Sequence, residues 1–285
     1  MSSLGLVVEG GGVRAIYAAG VLDVLHDACL PFDGVIGVSA GAIHGCSFVS
    51  GQKGRSLGIY KRFCKDKRFF SFRTLFRTGD IVDAKFCYHD IPSVHFPYDD
   101  TAFAASPMRF YVTCSNLETG RAEYLHLTDM REQIDALRAS ASLPYVSRIV
   151  RYRGMKLLDG GCIDPIPIKA FQALGYTHNV LVLTQPAGHN KKDRDAALAK
   201  LFYRRYPAFC KAFERCPAHY QEILRYIEMQ EREGKVFVIR PEQAIPVGRL
   251  SRDRNKIQLA YDLGRRDALN RLAALDEWLA GIGKT

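Results

Sequence analysis

No apolar run in this sequence is long enough to cross a bilayer, which excludes a helical membrane span. No Cys-x-x-Cys pair occurs, and the eight cysteines, at positions 29, 46, 64, 87, 114, 162, 210 and 216, are scattered. That spacing speaks against a zinc site and a disulfide framework and predicts reduced thiols. The opening residues, Met1 to Glu9, show no basic start, no long apolar stretch and no cleavage site, which predicts a cytoplasmic protein. There is no internal repeat, and no linker clearly divides the chain. Nucleic-acid recognition motifs are missing too, so no nucleic-acid partner is expected.

What is present is a globular composition, 47% apolar and 25% charged over 285 residues, enough for one large core or two modest ones. The net charge of +10 favours a polyanionic partner. Leu4 to Glu9 reads as a buried strand and Gly10 to Arg14 as a glycine-rich turn. From Ala15 to Cys29 apolar residues recur at helical spacing (Ile16, Ala19, Val21, Leu22, Leu25). Asp33-Gly34-Val35-Ile36 is a second short strand, followed by a helix over Ala42 to Val49. This β-α-β-α run predicts a parallel sheet with crossover helices. Further on, 110–114 and 122–127 read as a hairpin around Glu118-Thr119-Gly120. Helices are expected over 129–140, 166–174 and 256–279, and strands over 155–158, 179–184 and 236–239. The simplest organisation is one α/β domain. Its core spans 4–184, and 185–285 is a charged helical insertion plus the closing strand and helix; a further helical insert covers 53–100.

Gly37-Val38-Ser39-Ala40-Gly41 lies between the second strand and its helix. A Gly-x-Ser-x-Gly there is the nucleophile elbow pattern: glycines at 37 and 41 avoid a collision, and the serine is pushed into the open. The helix that follows points its free N–H groups at any negative charge forming there. An exposed serine also needs oxyanion donors and a base. Gly10-Gly11-Gly12 sits at the same sheet edge and can supply donors, Gly11 and Gly12 first, with Ala40 helping and Arg14 orienting the loop. The same loop fits a dinucleotide fingerprint, Gly10-x-Gly12-x-x-Ala15, but no acid ends the next strand, since Asp33 precedes it. A Ser-Asp-His triad is disfavoured. Of the late histidines, His178 precedes a strand, and His189 and His219 fall in the polar insertion. Asp159, followed by Gly160 and Gly161, ends a strand on the rim that holds Ser39. A carboxylate acting directly on a serine must be partly desolvated. Asp164 reads as a helix N-cap before Pro165.

Gly10-Gly11-Gly12-Val13-Arg14, Gly37-Val38-Ser39-Ala40-Gly41 and Asp159-Gly160-Gly161, in this order, resemble the three signatures of the patatin-like phospholipases. Ala141-Ser142-Leu143-Pro144 is similar to the segment that often precedes the aspartate in that family. The resemblance covers residues 4 to 184 and implies a three-layer α/β/α sandwich with a mainly parallel central sheet. It also implies lipid acyl ester hydrolysis by a Ser39–Asp159 dyad without histidine, metal or cofactor. Gly10 to Arg14 would form the oxyanion loop. Ala15 stands where the family often has glycine. Residues 61–77 and 200–226 mix basic and aromatic side chains and predict peripheral contact with an anionic membrane. A non-lipid serine esterase and a non-catalytic lipid or nucleotide binder are the alternatives.

Overall fold

The computed structural model describes residues 3–189 and 196–284, so part of the expected helical insertion, 190–195, lies outside the described residues. Strands β1 (Leu4–Val8), β2 (Gly34–Val38), β3 (Arg109–Asn116), β4 (Ala122–Leu127), β5 (Val150–Tyr152), β6 (Met155–Asp159), β7 (His178–Val182) and β8 (Val236–Ile239) form one sheet. Its order is β5-β6-β3-β2-β1-β7-β8, with β4 also paired to β3. The four pairings from β3 to β8 are parallel, and those made by β4, β5 and β6 are antiparallel. The helices are α1 (Ile16–Asp27), α2 (Ala40–Val49), α3 (Arg55–Phe63), α4 (Phe72–Thr78), α5 (Asp100–Ala105), α6 (Ile134–Ser140), α7 (Ile168–Ala173), α8 (Ala196–Phe202), α9 (Pro207–Arg232) and α10 (Arg254–Gly281).

Successive strand residues point to opposite faces, and each face has its own apolar layer. Leu6, Val8, Val35, Val112, Val180 and Ile239 pack under α1, α2 and α10. Val7, Ile36, Tyr111, Leu181 and Val238 pack under α7 and α9. The strands are buried on both faces, as parallel strands with crossover helices must be. The result is the three-layer α/β/α arrangement, with β8, α9 and α10 of the C-terminal segment supplying parts of all three layers.

Helices α1 and α10 approach through paired glycines. A Cβ on Gly20 would stand 2.1 Å from the Tyr261 carbonyl oxygen, and one on Gly264 only 2.0 Å from that of Tyr17. The same tyrosines tie the helices at their hydroxyls. Tyr17 donates to Asp267 at 3.0 Å, and Tyr261 donates to Asp23.

Strand β3 is the seam that matters for the site. β4 covers one edge of β3 from Phe110 to Ser115. β2 covers the other edge as far as Thr113, opposite Val38. With its first edge occupied, β3 receives β6 on the β2 edge, beginning at Cys114, which pairs with Asp159. The C-terminal ends of β2 and β6 therefore meet head to head at adjacent rungs of one strand.

Candidate active site

Ser39 follows directly on β2 and precedes the first residue of α2. Its backbone has φ 57 and ψ −129, a left-handed conformation that a side chain seldom tolerates. The two flanking glycines are sterically required. A Cβ on Gly37 would lie 2.4 Å from the Ala42 Cα, and one on Gly41 2.4 Å from the Val8 carbonyl oxygen. The strain is held in place from below. The Ser39 N–H donates to Ser140 Oγ at 3.0 Å, and that hydroxyl donates to the Thr113 carbonyl at 2.7 Å. At the start of α2 the N–H groups of Ala40 and Gly41 have no intrahelical acceptor, whereas those of Ala42 and Ile43 donate to the Ser39 carbonyl at 3.0 and 3.2 Å.

The glycine loop runs along Ser39. A Cβ on Gly10 would come within 2.8 Å of the Ser39 Cβ, so only glycine lets the two segments touch. Gly12 has φ +60 and faces the Arg249 carbonyl, which accepts the Val13 N–H at 3.0 Å. Among the described residues the N–H groups of Gly11 and Gly12 have no protein acceptor. The loop is anchored by Glu9, 5% exposed. Its carboxylate accepts from the Thr184 N–H at 2.6 Å, the Thr184 hydroxyl at 3.1 Å and the Tyr220 hydroxyl at 3.0 Å. Thr184 Oγ1 also donates to the Gly10 carbonyl at 2.8 Å. Arg14 is largely buried beside Gly11, and burial lowers its affinity for its proton. With the Gln185 amide oxygen turned toward it, the guanidinium donates at 2.8 and 2.9 Å.

Asp159 is 3% exposed and terminates β6. Its N–H donates to the Ser142 carbonyl at 2.8 Å, its carbonyl accepts from the Ser115 hydroxyl at 2.8 Å, and Oδ1 accepts from the Gly161 N–H at 2.8 Å. Gly160 leaves no room for a side chain, since a Cβ would be 2.2 Å from the Thr113 carbonyl oxygen. Thr113 thus touches both halves of the site.

Asp164 is not a helix N-cap. Pro165 and Pro167 delay α7 until Ile168, and Pro167 occupies the cap position. The Asp164 carboxylate instead accepts from the Tyr124 hydroxyl at 2.7 Å and lies 3.8 Å from His219 Nε2. His178 opens β7, at the opposite sheet edge from Ser39. His189 borders the same cavity as Ser39 and Asp159, with its ring edge-on to Tyr220. His44, on α2, is 1% exposed and bonds Ser56 through Nδ1 at 2.9 Å; burial pushes its pKa down to about 4.

Ser39 borders two cavities. One, about 660 Å³, is walled largely by apolar side chains such as Ile43, Ile59, Tyr60, Phe70, Ile81 and Leu137. The other, about 640 Å³, carries the polar groups Glu9, Arg14, Asp159 and Gln185 with the glycine loop. Leu143 lines both, so the segment after α6 forms part of the rim. This rim links the two basic-aromatic segments. The Ile81 N–H donates to the Val146 carbonyl at 2.7 Å on the α4 side, and Tyr145 meets Phe202 at 5.4 Å between ring centroids on the α8 side. Most aromatics of these segments pack inward: Phe63, Phe70, Tyr203, Phe209 and Phe213 are buried. Phe72, Phe76, Leu201 and Phe202 remain exposed, at 65%, 89%, 70% and 58%.

A strained serine, a bare amide loop and a buried carboxylate on adjacent rungs suit acyl transfer, and comparison with known proteins agrees. The family model described as patatin-like phospholipase matches residues 6–171, more than half of the chain. The chain belongs to that family and is a carboxylic ester hydrolase acting on lipids. A second model, a domain of unknown function (DUF6363), matches residues 206–280. Among relatives, the uncharacterized protein YjjU of Escherichia coli (strain K12) is 28% identical over 282 residues, 92% of this chain and 75% of its own. Lysophospholipase nte1 of Emericella nidulans is 29% identical over 179 residues, 61% of this chain but only 11% of its own length. In fold, VipD from Legionella pneumophila matches with TM-score 0.50 at 13% identity, covering 96% of this chain and 67% of that one.

Proposed function

We propose that the chain hydrolyses acyl esters of phospholipids or lysophospholipids through Ser39 and Asp159. Asp159 takes the Ser39 proton as Oγ attacks the ester carbonyl carbon. The oxyanion is received by the N–H groups of Gly11, Gly12 and Ala40, while Gly10 gives close approach and Arg14 holds the loop. The tetrahedral adduct collapses, and the alcohol leaves with the proton from Asp159. Water then gives a proton to Asp159 and attacks the acyl-serine; as the second adduct collapses, Asp159 returns the proton to Ser39 Oγ and the free fatty acid departs. The observation that supports this reading is the pairing of Val38 with Thr113 and of Asp159 with Cys114, which sets the ends of β2 and β6 at neighbouring positions on β3. The apolar cavity lies within the range of ligand pockets and suits the acyl chain. The lysophospholipase names of the fungal relatives support the substrate class.

The rim supports a lipid-surface reading of the two flanking segments. Phe72, Phe76, Leu201 and Phe202 are exposed, as are Arg73, Arg204 and Arg205. Apolar side chains entering a bilayer beside guanidinium groups fit an anionic surface. The test is hydrolysis of lysophospholipid micelles against a short monomeric ester by wild type, Ser39→Ala and Asp159→Asn. Both variants should lose about a thousandfold or more in kcat, and wild type should favour the micelle. Activity surviving in Ser39→Ala would refute the nucleophile. Equal rates on both esters would favour a small-ester hydrolase.

A further inference from the structure

The two cavities share four lining residues: Gly12, Ser39, Leu143 and Arg249. Arg249 alone comes from the C-terminal segment that matches the domain of unknown function. Its backbone is fixed at the waist. The Arg249 carbonyl accepts the Val13 N–H at 3.0 Å, and the space a Gly12 side chain would need is filled by the same oxygen at 2.6 Å. Its side chain is exposed, and among the described residues no carboxylate lies within 4.0 Å of it. It stands near enough to Arg14 for their charges to repel. The acid beside Arg14, Glu9, is already engaged by Thr184 and Tyr220. Two arginines thus line the polar cavity within electrostatic reach of each other, and among the described residues the one at the waist has no carboxylate partner.

We infer that Arg249 binds a phosphate on the leaving-alcohol side of the ester, so that the C-terminal segment selects glycerophosphate-type leaving groups over neutral ones. The acyl chain occupies the apolar cavity and the alcohol departs through the polar one. A phosphate four or five bonds from the leaving oxygen, as in a glycerophosphate, then meets the waist cation. A guanidinium forms paired, charge-assisted hydrogen bonds with phosphate, and an ammonium matches that geometry less well. This inference rests on the proposed hydrolysis for the identity of the two sides, but its test is independent of turnover.

The test measures binding of monooleoyl glycerophosphate and of monooleoylglycerol to the Ser39→Ala protein by calorimetry, alone and combined with Arg249→Ala or Arg249→Lys. The ratio of affinities, phosphate ester over neutral ester, should fall about tenfold or more in Arg249→Ala and less in Arg249→Lys. An equal loss for both ligands, or no change, overturns the proposal. Inorganic phosphate competing as well as the glycerophosphate ester would mark a free-phosphate site and overturn the substrate assignment. If Arg249→Ala does not fold by circular dichroism, the ratio is read from Arg249→Gln, where the same fall is expected, and from Arg249→Lys, where the fall is smaller. Selective binding by a protein whose Ser39 form hydrolyses neither ester would refute the hydrolase reading and leave Arg249 as a phosphate-binding residue.

Discussion

Ser39 holds a backbone conformation that favours glycine, at φ 57. Strain of this kind costs about 1–3 kcal/mol and persists only where neighbours enforce it. Here the Ser140 hydroxyl and the Gly37 and Gly41 contacts do so. Ser39→Gly should therefore raise the unfolding free energy by about 1 kcal/mol in denaturant titration while abolishing ester hydrolysis. Gly37→Ala should act oppositely and lower stability by about 1–3 kcal/mol or more, because its Cβ meets backbone rather than a movable side chain. His44 provides a pH signature. Its folded pKa, about 4, lies below the ordinary value of 6.5, so the unfolded chain binds the extra proton. The stability it contributes is present above pH 6.5 and is lost as pH falls toward 4, by up to about 3 kcal/mol. Chemical denaturation of His44→Gln should show a flatter pH dependence across that window. The elbow was legible in the sequence because its Gly-x-Ser-x-Gly pattern is local and Gly37 collides with Ala42, five residues on. That Gly41 is needed to clear the Val8 carbonyl was not legible, because only the folded sheet brings β1 against it. Nor were Arg249 and His189, because only the folded chain brings them to the cavity, and nothing in their immediate neighbours marks them.

At the scale of elements, the closing helix was visible from its periodicity, but its docking was not. Gly20 and Gly264 look like ordinary weak points in two helices, yet each admits a carbonyl of the partner helix. Gly264→Ala should push α10 off α1 and lower the thermal midpoint, a loss of about 1–3 kcal/mol. It should also lower ester hydrolysis, since the Gly12–Arg249 contact lies just before the starts of these two helices. β5 escaped notice because three residues cannot show a two-residue alternation, and its partner β6 follows across the tight Arg153-Gly154 turn. The reading of Asp164 failed for a related reason. A carboxylate before a proline fits a helix start, but the second proline, Pro167, moves that start beyond its reach. The basic-aromatic segments carried a mixed signal, since periodicity alone did not separate inward Phe63 and Phe70 from outward Phe72 and Phe76.

For the molecule as a whole, the β-α-β-α opening was enough to indicate a mainly parallel sheet, because right-handed crossovers leave few alternatives. The sheet does not stop where the patatin-like match ends. β8 pairs with β7 from Asn179 to Val182, α9 covers one face and α10 the other. Removing residues 206–285 should therefore leave two uncovered apolar faces and yield protein without a cooperative melting transition. Among the described residues no helix is long and apolar enough to cross a membrane. Vesicles containing anionic lipid should bind wild type and release it when Phe72, Phe76, Leu201 and Phe202 are changed to Ser. One measurement reaches furthest: reaction with a fluorophosphonate probe followed by peptide mass mapping in wild type, Ser39→Ala and Asp159→Asn. A single adduct on Ser39 of the wild type, none on Ser39→Ala and strongly slowed labelling of folded Asp159→Asn is the expected result. An adduct elsewhere, or unchanged labelling without Asp159, would contradict a serine and an aspartate acting together at the β2–β6 junction.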